Sequence, residues 1–60
     1  MSNTIIKLDE VKRRTTFSGS TIYRLAAEDK FPKPIKLSER SSGWLESEVL
    51  AYLDECIKNR

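Results

Sequence analysis

Ser18, Ser20, Thr21 and Arg24 gather three hydroxyls and a guanidinium within seven residues, at the head of an apolar stripe. Hydroxyls of this kind suit phosphate oxygens or base edges, and a guanidinium forks onto the O6 and N7 acceptors of guanine. That chemistry recognises rather than reacts. The chain has no His, one Cys and two Gly, so it lacks a nucleophile with its base and a glycine-rich phosphate loop. A zinc site would lack its ligands. Glu46, Glu48, Asp54 and Glu55 are spaced as solvated helix charges rather than as an acid/base pair. Neither an enzyme nor a cofactor is expected.

To act together, these groups must share one helix with an apolar back. Ser18 is a good N-cap for a helix over about Gly19–Asp29. Ile22, Leu25 and Ala26 recur at i, i+3 and i+4 as its buried stripe. Ser20, Arg24 and Ala27 then point outward, with Thr21 and Tyr23 on the flanks. Tyr23 can close the core edge with its ring and reach a phosphate with its hydroxyl. Pro32 disfavours helical geometry in Phe31, so the helix must stop before that pair.

An earlier helix is expected over about Leu8–Arg14, with Leu8, Val11 and Thr15 on one face and Ile6 beneath them. Asp9 is its best N-cap by chemistry, although the spacing also allows a start near Lys7. Arg13 and Arg14 end it and are secondary candidates for backbone contact. Thr15-Thr16-Phe17 forms the turn, with Phe17 as the apolar plug. Two short helices about a tight turn are the layout that enters the DNA major groove.

Beyond Phe31, Pro32 and Pro34 hold Lys33 in an extended connector. Ile35-Lys36-Leu37 alternates as a strand, Ser38–Ser41 turns, and Ser42-Gly43-Trp44-Leu45 returns antiparallel. This hairpin is a wing, and Lys33, Lys36, Arg40, Ser41 and Ser42 are its candidates for contact along the DNA backbone. Phosphate contacts position a protein without reading sequence. From about Glu46, Val49, Tyr52, Leu53, Cys56 and Ile57 follow a helical period, and Leu50 widens the stripe. Cys56 reads as packing, and Trp44 as core rather than as a stacking platform. The expected core is Val11, Phe17, Ile22, Leu25, Phe31, Ile35, Leu37, Trp44, Val49, Leu53 and Ile57. The fold class is therefore mainly α with a small β-hairpin, a winged helix-turn-helix in the order helix, helix, hairpin, helix.

Sixty residues make one domain at most, expected over 5–60 behind a polar tail of residues 1–4. A chain this short buries only about 60% of its unfolded surface. Apolar residues at 38% and charged residues at 33% are an ordinary globular balance. No apolar run nears the roughly 18 residues of a membrane span, and Ile5-Ile6 is too short for a secretion signal. The expected location is cytoplasmic, without a membrane or small-molecule partner. Net charge is +2 but uneven: residues 1–40 hold nine Lys/Arg against five Asp/Glu, and residues 41–60 hold two against four. That asymmetry suits one phosphate-facing side and double-stranded DNA as partner. A single module of this size buries only about 600–1,000 Å² of its own surface on DNA. A homodimer, or several monomers on repeated sites, is therefore expected.

STIYRL, then FPKPIKL, then GWLESEV followed by AYL, resembles the AlpA family of phage and prophage transcriptional regulators, small relatives of MerR-type and excisionase-like winged helices. The resemblance covers roughly residues 5–54. It implies a winged helix-turn-helix that binds DNA and controls promoters on an integrated element. Ser18, Ser20, Thr21, Tyr23 and Arg24 match the family's recognition segment, Lys33 and Lys36 its basic stretch, and Gly43-Trp44 the wing's return strand. Gly19 stands where such sequences usually carry Arg, Thr16 where they carry a turn Gly, and Phe17 where they carry Leu. Two other readings stay open: an architectural factor that bends DNA for excision, and a protein-interaction module using the acidic last helix.

Overall fold

The computed structural model describes residues 3–60. Its elements run β1 (Ile5–Ile6), α1 (Leu8–Thr15), α2 (Gly19–Ala27), β2 (Ile35–Lys36), β3 (Ser42–Leu45) and α3 (Glu46–Lys58). This is a winged helix-turn-helix, mainly helical with a small antiparallel sheet. Residues 1 and 2 of the expected tail lie outside the described residues. Thr4 O accepts a 2.8 Å hydrogen bond from Glu46 N, which serves the start of α3 in place of a side-chain cap.

Each helix boundary has a local cause. Lys7, not Asp9, is the N-cap of α1, and no side chain caps it; Asp9 and Glu10 instead fill the first turn, where the helix dipole favours carboxylates. At the other end Thr15 Oγ1 donates back to Val11 O at 2.8 Å, and Thr16 turns the chain with φ of 65°. The second helix stops at Ala27, two residues short of the sequence expectation. Asp29 takes φ of 59°, Asp29 N donates to Ala26 O at 3.2 Å, and Lys30 N donates to Leu25 O at 2.8 Å. Those paired bonds form a Schellman cap with Asp where glycine is usual. Asp tolerates the left-handed region better than most residues.

Thr16 does not. A β-branched residue in the left-handed region is strained, at about 1–3 kcal/mol. Thr16→Gly is therefore expected to stabilise the domain by about 1 kcal/mol after allowing for the extra freedom of an unfolded glycine. A melt followed by circular dichroism should move up by roughly 4–8 °C. An unchanged or lower midpoint would mean that the turn carries no strain.

The sheet holds a strand that the sequence did not reveal. Ile5–Ile6 pairs antiparallel with β3, with Ile5 opposite Leu45 and Ile6 opposite Trp44. On its other side β3 pairs with β2, Ile35 opposite Gly43 and Lys36 opposite Ser42. The order β1-β3-β2 makes β3 the central strand. Gly43 is hemmed in from both sides. A Cβ there would lie 2.5 Å from Ile5 Cγ2, 3.2 Å from Ile6 O and 3.3 Å from Leu37 Cδ1. Gly43→Ala should thus cost about 1–3 kcal/mol as overpacking, read as a lower urea midpoint at constant slope. Equal midpoints would show that β1 can step aside freely.

The core comprises Ile6, Val11, Ile22, Ala26, Phe31, Trp44 and Val49, with Leu8, Phe17, Leu25, Tyr52 and Leu53 packed against it. Phe17, Phe31 and Tyr52 meet edge to face, with centroids 4.7–6.5 Å apart. Trp44 is core as expected, and its indole N–H donates to Pro32 O at 2.9 Å. Two expected core positions, Leu37 and Ile57, fail outright, Ile35 is only half-buried, and Cys56, read as packing, is exposed. Leu37 is 48% exposed because β2 ends at Lys36 and leaves Leu37 in the turn. Ile57, 60% exposed, and Cys56 lie on the last turns of α3, whose one fully buried residue is Val49 near its start. The helix simply outruns the small core that it covers. Leu50, expected to widen the packed stripe, is exposed too.

Candidate nucleic-acid interface

Ser18 shapes the head of α2. Its Oγ accepts from Thr21 N at 3.3 Å and donates to Thr21 Oγ1 at 3.0 Å, and Ser20 Oγ lies 3.2 Å away. A hydroxyl can donate once and accept twice, so this cluster keeps acceptor capacity for a ligand. No carboxylate occupies the first turn of α2, whereas Asp9 and Glu10 occupy that of α1, and Glu46 and Glu48 that of α3. The positive end of α2 is left without a neutralising side chain of its own.

Ser20 and Arg24 are exposed along one side of α2, one turn apart, with Ala27 continuing the line. Ile22 and Ala26 are buried behind them and Leu25 is half-buried, as the apolar spacing requires. Among the described residues no other element covers the ridge. Thr21 is half-buried and committed to the cap, so it contributes less surface than its neighbours. Tyr23, 46% exposed, leans on Trp44 with ring centroids 5.7 Å apart. Arg24 lies 3.8 Å from Glu28, both exposed. At Gly19 an added Cβ would meet Leu8 Cδ2 at 3.5 Å, an ordinary contact, so space alone does not demand glycine there.

Lys33 joins this ridge through the proline-bounded connector. With Tyr23, Ala26, Ala27 and Pro34 it lines a groove of about 410 Å³, and its Nζ lies 3.0 Å from Asp29. Lys36, Arg40 and Ser41 are exposed on the hairpin, and Ser42 is half-buried. Leu37 N donates to Ser41 O at 2.8 Å, and Arg40 N to Ser38 Oγ at 3.4 Å, closing the turn that presents them. A second groove, about 330 Å³, runs from this turn to the start of α1, lined by Lys7, Leu8, Asp9, Leu37, Arg40, Ser41 and Ser42. Lys7 was not a sequence candidate. It enters only because β1 ties its neighbours to β3.

Arg14 leaves the candidate set. Its Nε lies 2.8 Å from Glu10 and its second guanidinium nitrogen 2.9 Å from Glu46, so it clamps α1 to the head of α3. Glu46 is correspondingly a structural partner rather than a solvated helix charge. Arg13 also pairs with Glu10 but stays exposed. Hydrogen bonds from Arg13 and then Arg14 hold the Glu10 carboxyl below its ordinary pKa. Among the described residues no group of three or more His, Cys, Asp or Glu could hold a metal ion. Among those residues, too, no helix is long and apolar enough to cross a membrane.

The family described as "Prophage CP4-57 regulatory protein (AlpA)" matches residues 4–57. The chain belongs to the AlpA family. That match spans β1 to nearly the end of α3, so it includes every element of the ridge and the hairpin. The chain is also 34% identical over 55 residues to "Uncharacterized protein ORF88" of Enterobacteria phage P4, across 92% of its own length. It spans 62% of that relative. No solved structure matches it. Within the AlpA fold the three sequence motifs fall on α2, on the connector with β2, and on β3 with the start of α3.

Proposed function

We propose that this AlpA-family chain is a sequence-specific DNA-binding regulator of transcription on a phage or integrated element. In this reading α2 enters the major groove, and the β2–β3 hairpin lies along the backbone. The observation that carries it is the uncovered line Ser20–Arg24–Ala27, backed by buried Ile22 and Ala26. The helix end beside that line carries no carboxylate in its first turn, which suits a phosphate. The family's description as a prophage regulatory protein supports the regulatory half of the reading. Ser20 and Arg24 would face base edges. Ser18, Lys33, Lys36, Arg40, Ser41 and Ser42 would face phosphates, and Tyr23 would do so through its hydroxyl. Thr21 would act by fixing the helix head.

Arg24→Ala tests the reading. Duplexes selected by the native protein from a random library supply its preferred site, and binding is then compared between that site and random sequence. The expected loss is about 1–3 kcal/mol on the selected site, with relaxed preference at one base pair and little change on random duplex. Equal losses on both would reduce Arg24 to a phosphate clamp. Failure of the native chain to enrich any duplex would remove the assignment.

A further inference from the structure

The cations nearest the ridge are not free. Arg24 lies 3.8 Å from Glu28, Lys30 lies 3.6 Å from the same Glu28 oxygen, and Lys33 lies 3.0 Å from Asp29. Both carboxylates sit where α2 ends: Glu28 is the C-cap, and Asp29 is the left-handed residue that turns the chain toward the connector. By contrast, Lys36 and Arg40 on the hairpin form no ion pair among the described residues. The helix is thus polarised, with hydroxyls and an uncompensated positive end at its head and two carboxylates at its tail.

We propose that Glu28 and Asp29 are built-in competitors that occupy Arg24 and Lys33 until a bound duplex displaces them, and so set the chain's overall affinity for DNA. This rests on the DNA-binding reading above. A phosphate offers Arg24 and Lys33 little that a carboxylate does not already supply, and the two carboxylates also repel the backbone. Random DNA therefore gains least from these cations. A duplex that offers Arg24 a paired guanine acceptor provides the bidentate geometry that the 3.8 Å contact with Glu28 lacks. Exposed ion pairs are individually weak, so the exchange stays reversible. Every duplex that takes up these cations must first break the pairs, so the acids hold down binding to random and selected duplex alike.

The test is Glu28→Gln with Asp29→Asn, separately and together. Asn keeps access to the left-handed backbone at position 29, and both side chains are exposed, so circular dichroism should show an unchanged fold. The matched control is Asp54→Asn, which breaks the exposed Asp54–Lys58 pair of 3.2 Å on α3. Binding is measured by fluorescence anisotropy on random 20-base-pair duplex and on a duplex selected by the native protein, from low to physiological salt. The expected result for the double variant is roughly three- to tenfold tighter binding to random duplex. Its log–log salt slope should steepen by about one unit. Selected duplex should gain at least as much, because Arg24 and Lys33 leave the same partners there, and the control should change neither. Unchanged random-duplex affinity and slope, with native binding intact, would overturn the inference and leave the DNA-binding reading standing. A gain no larger than that of the Asp54→Asn control would also overturn it, since the acids would then act only through net charge. Absence of native binding to either duplex would remove both.

Discussion

Trp44→Ala is expected to leave the chain largely unfolded at 25 °C. Trp44 has no exposed surface and lies in the central strand β3, so its removal opens a cavity in the core that it shares with Ile6, Val11, Ile22, Phe31 and Val49. Truncating a buried Trp typically costs about 3–5 kcal/mol. A domain of this length has only roughly 3–9 kcal/mol in all, at about 0.05–0.15 kcal/mol per residue. The lost indole N–H also strips Pro32 O of its 2.9 Å partner, and that bond anchors the connector carrying Lys33. Urea titration by circular dichroism checks the expectation. A variant that keeps a cooperative transition within about 1 kcal/mol of the native midpoint would show that the sheet, rather than the indole, organises the core. Trp44→Phe separates the two roles of the residue. It should retain most of the packing but release the connector, and with it the seat of Tyr23, which leans on the indole at 5.7 Å.

That coupling explains which parts of the fold the sequence could express. The three helices are readable because each carries its own signals. Ser18 is a cap, Ile22 and Ala26 are spaced for one face, and Pro32 forbids continuation. The hairpin is readable from the alternation of Ile35, Lys36 and Leu37 about a polar turn. What escaped depends on long-range pairing. Two residues, Ile5 and Ile6, contain no alternation to detect, and their strand exists only because β3 offers a free edge 38 residues later, at Trp44 opposite Ile6. Arg14 read as a secondary candidate for backbone contact because its partner Glu46 lies across the fold. Ile57 and Cys56 fit the period of α3 perfectly well, yet a helical period says which face is apolar and not how far the covering layer extends. The candidate ridge was legible for the opposite reason: one helix's own periodicity defines it. Its electrostatics were less so, because the pairing of Lys33 with Asp29 depends on the Schellman cap that ends α2 early.

Salt should expose those electrostatics more strongly than any single substitution. If Arg24, Lys33, Lys36 and Arg40 each neutralised one phosphate, the log–log slope would be about −0.9 per contact, near −3.6 in all. A fourfold rise in monovalent salt would then weaken binding by about 150-fold. Lys36 and Arg40 are unpaired among the described residues, whereas Arg24 and Lys33 must first leave Glu28 and Asp29. If only the two unpaired cations counted fully, the slope would fall near −1.8 and the loss to about tenfold. Native binding to random duplex is therefore expected between these bounds and closer to the shallower one. Lys36→Ala and Arg40→Ala should each flatten the slope by about 0.9, and Lys33→Ala by visibly less. Titrations of each variant across the same salt range check this ordering. A native slope near zero would contradict phosphate contact by the hairpin. A full unit lost at Lys33 would mean that Asp29 offers no competition, and that the carboxylates at the tail of α2 stand clear of the duplex.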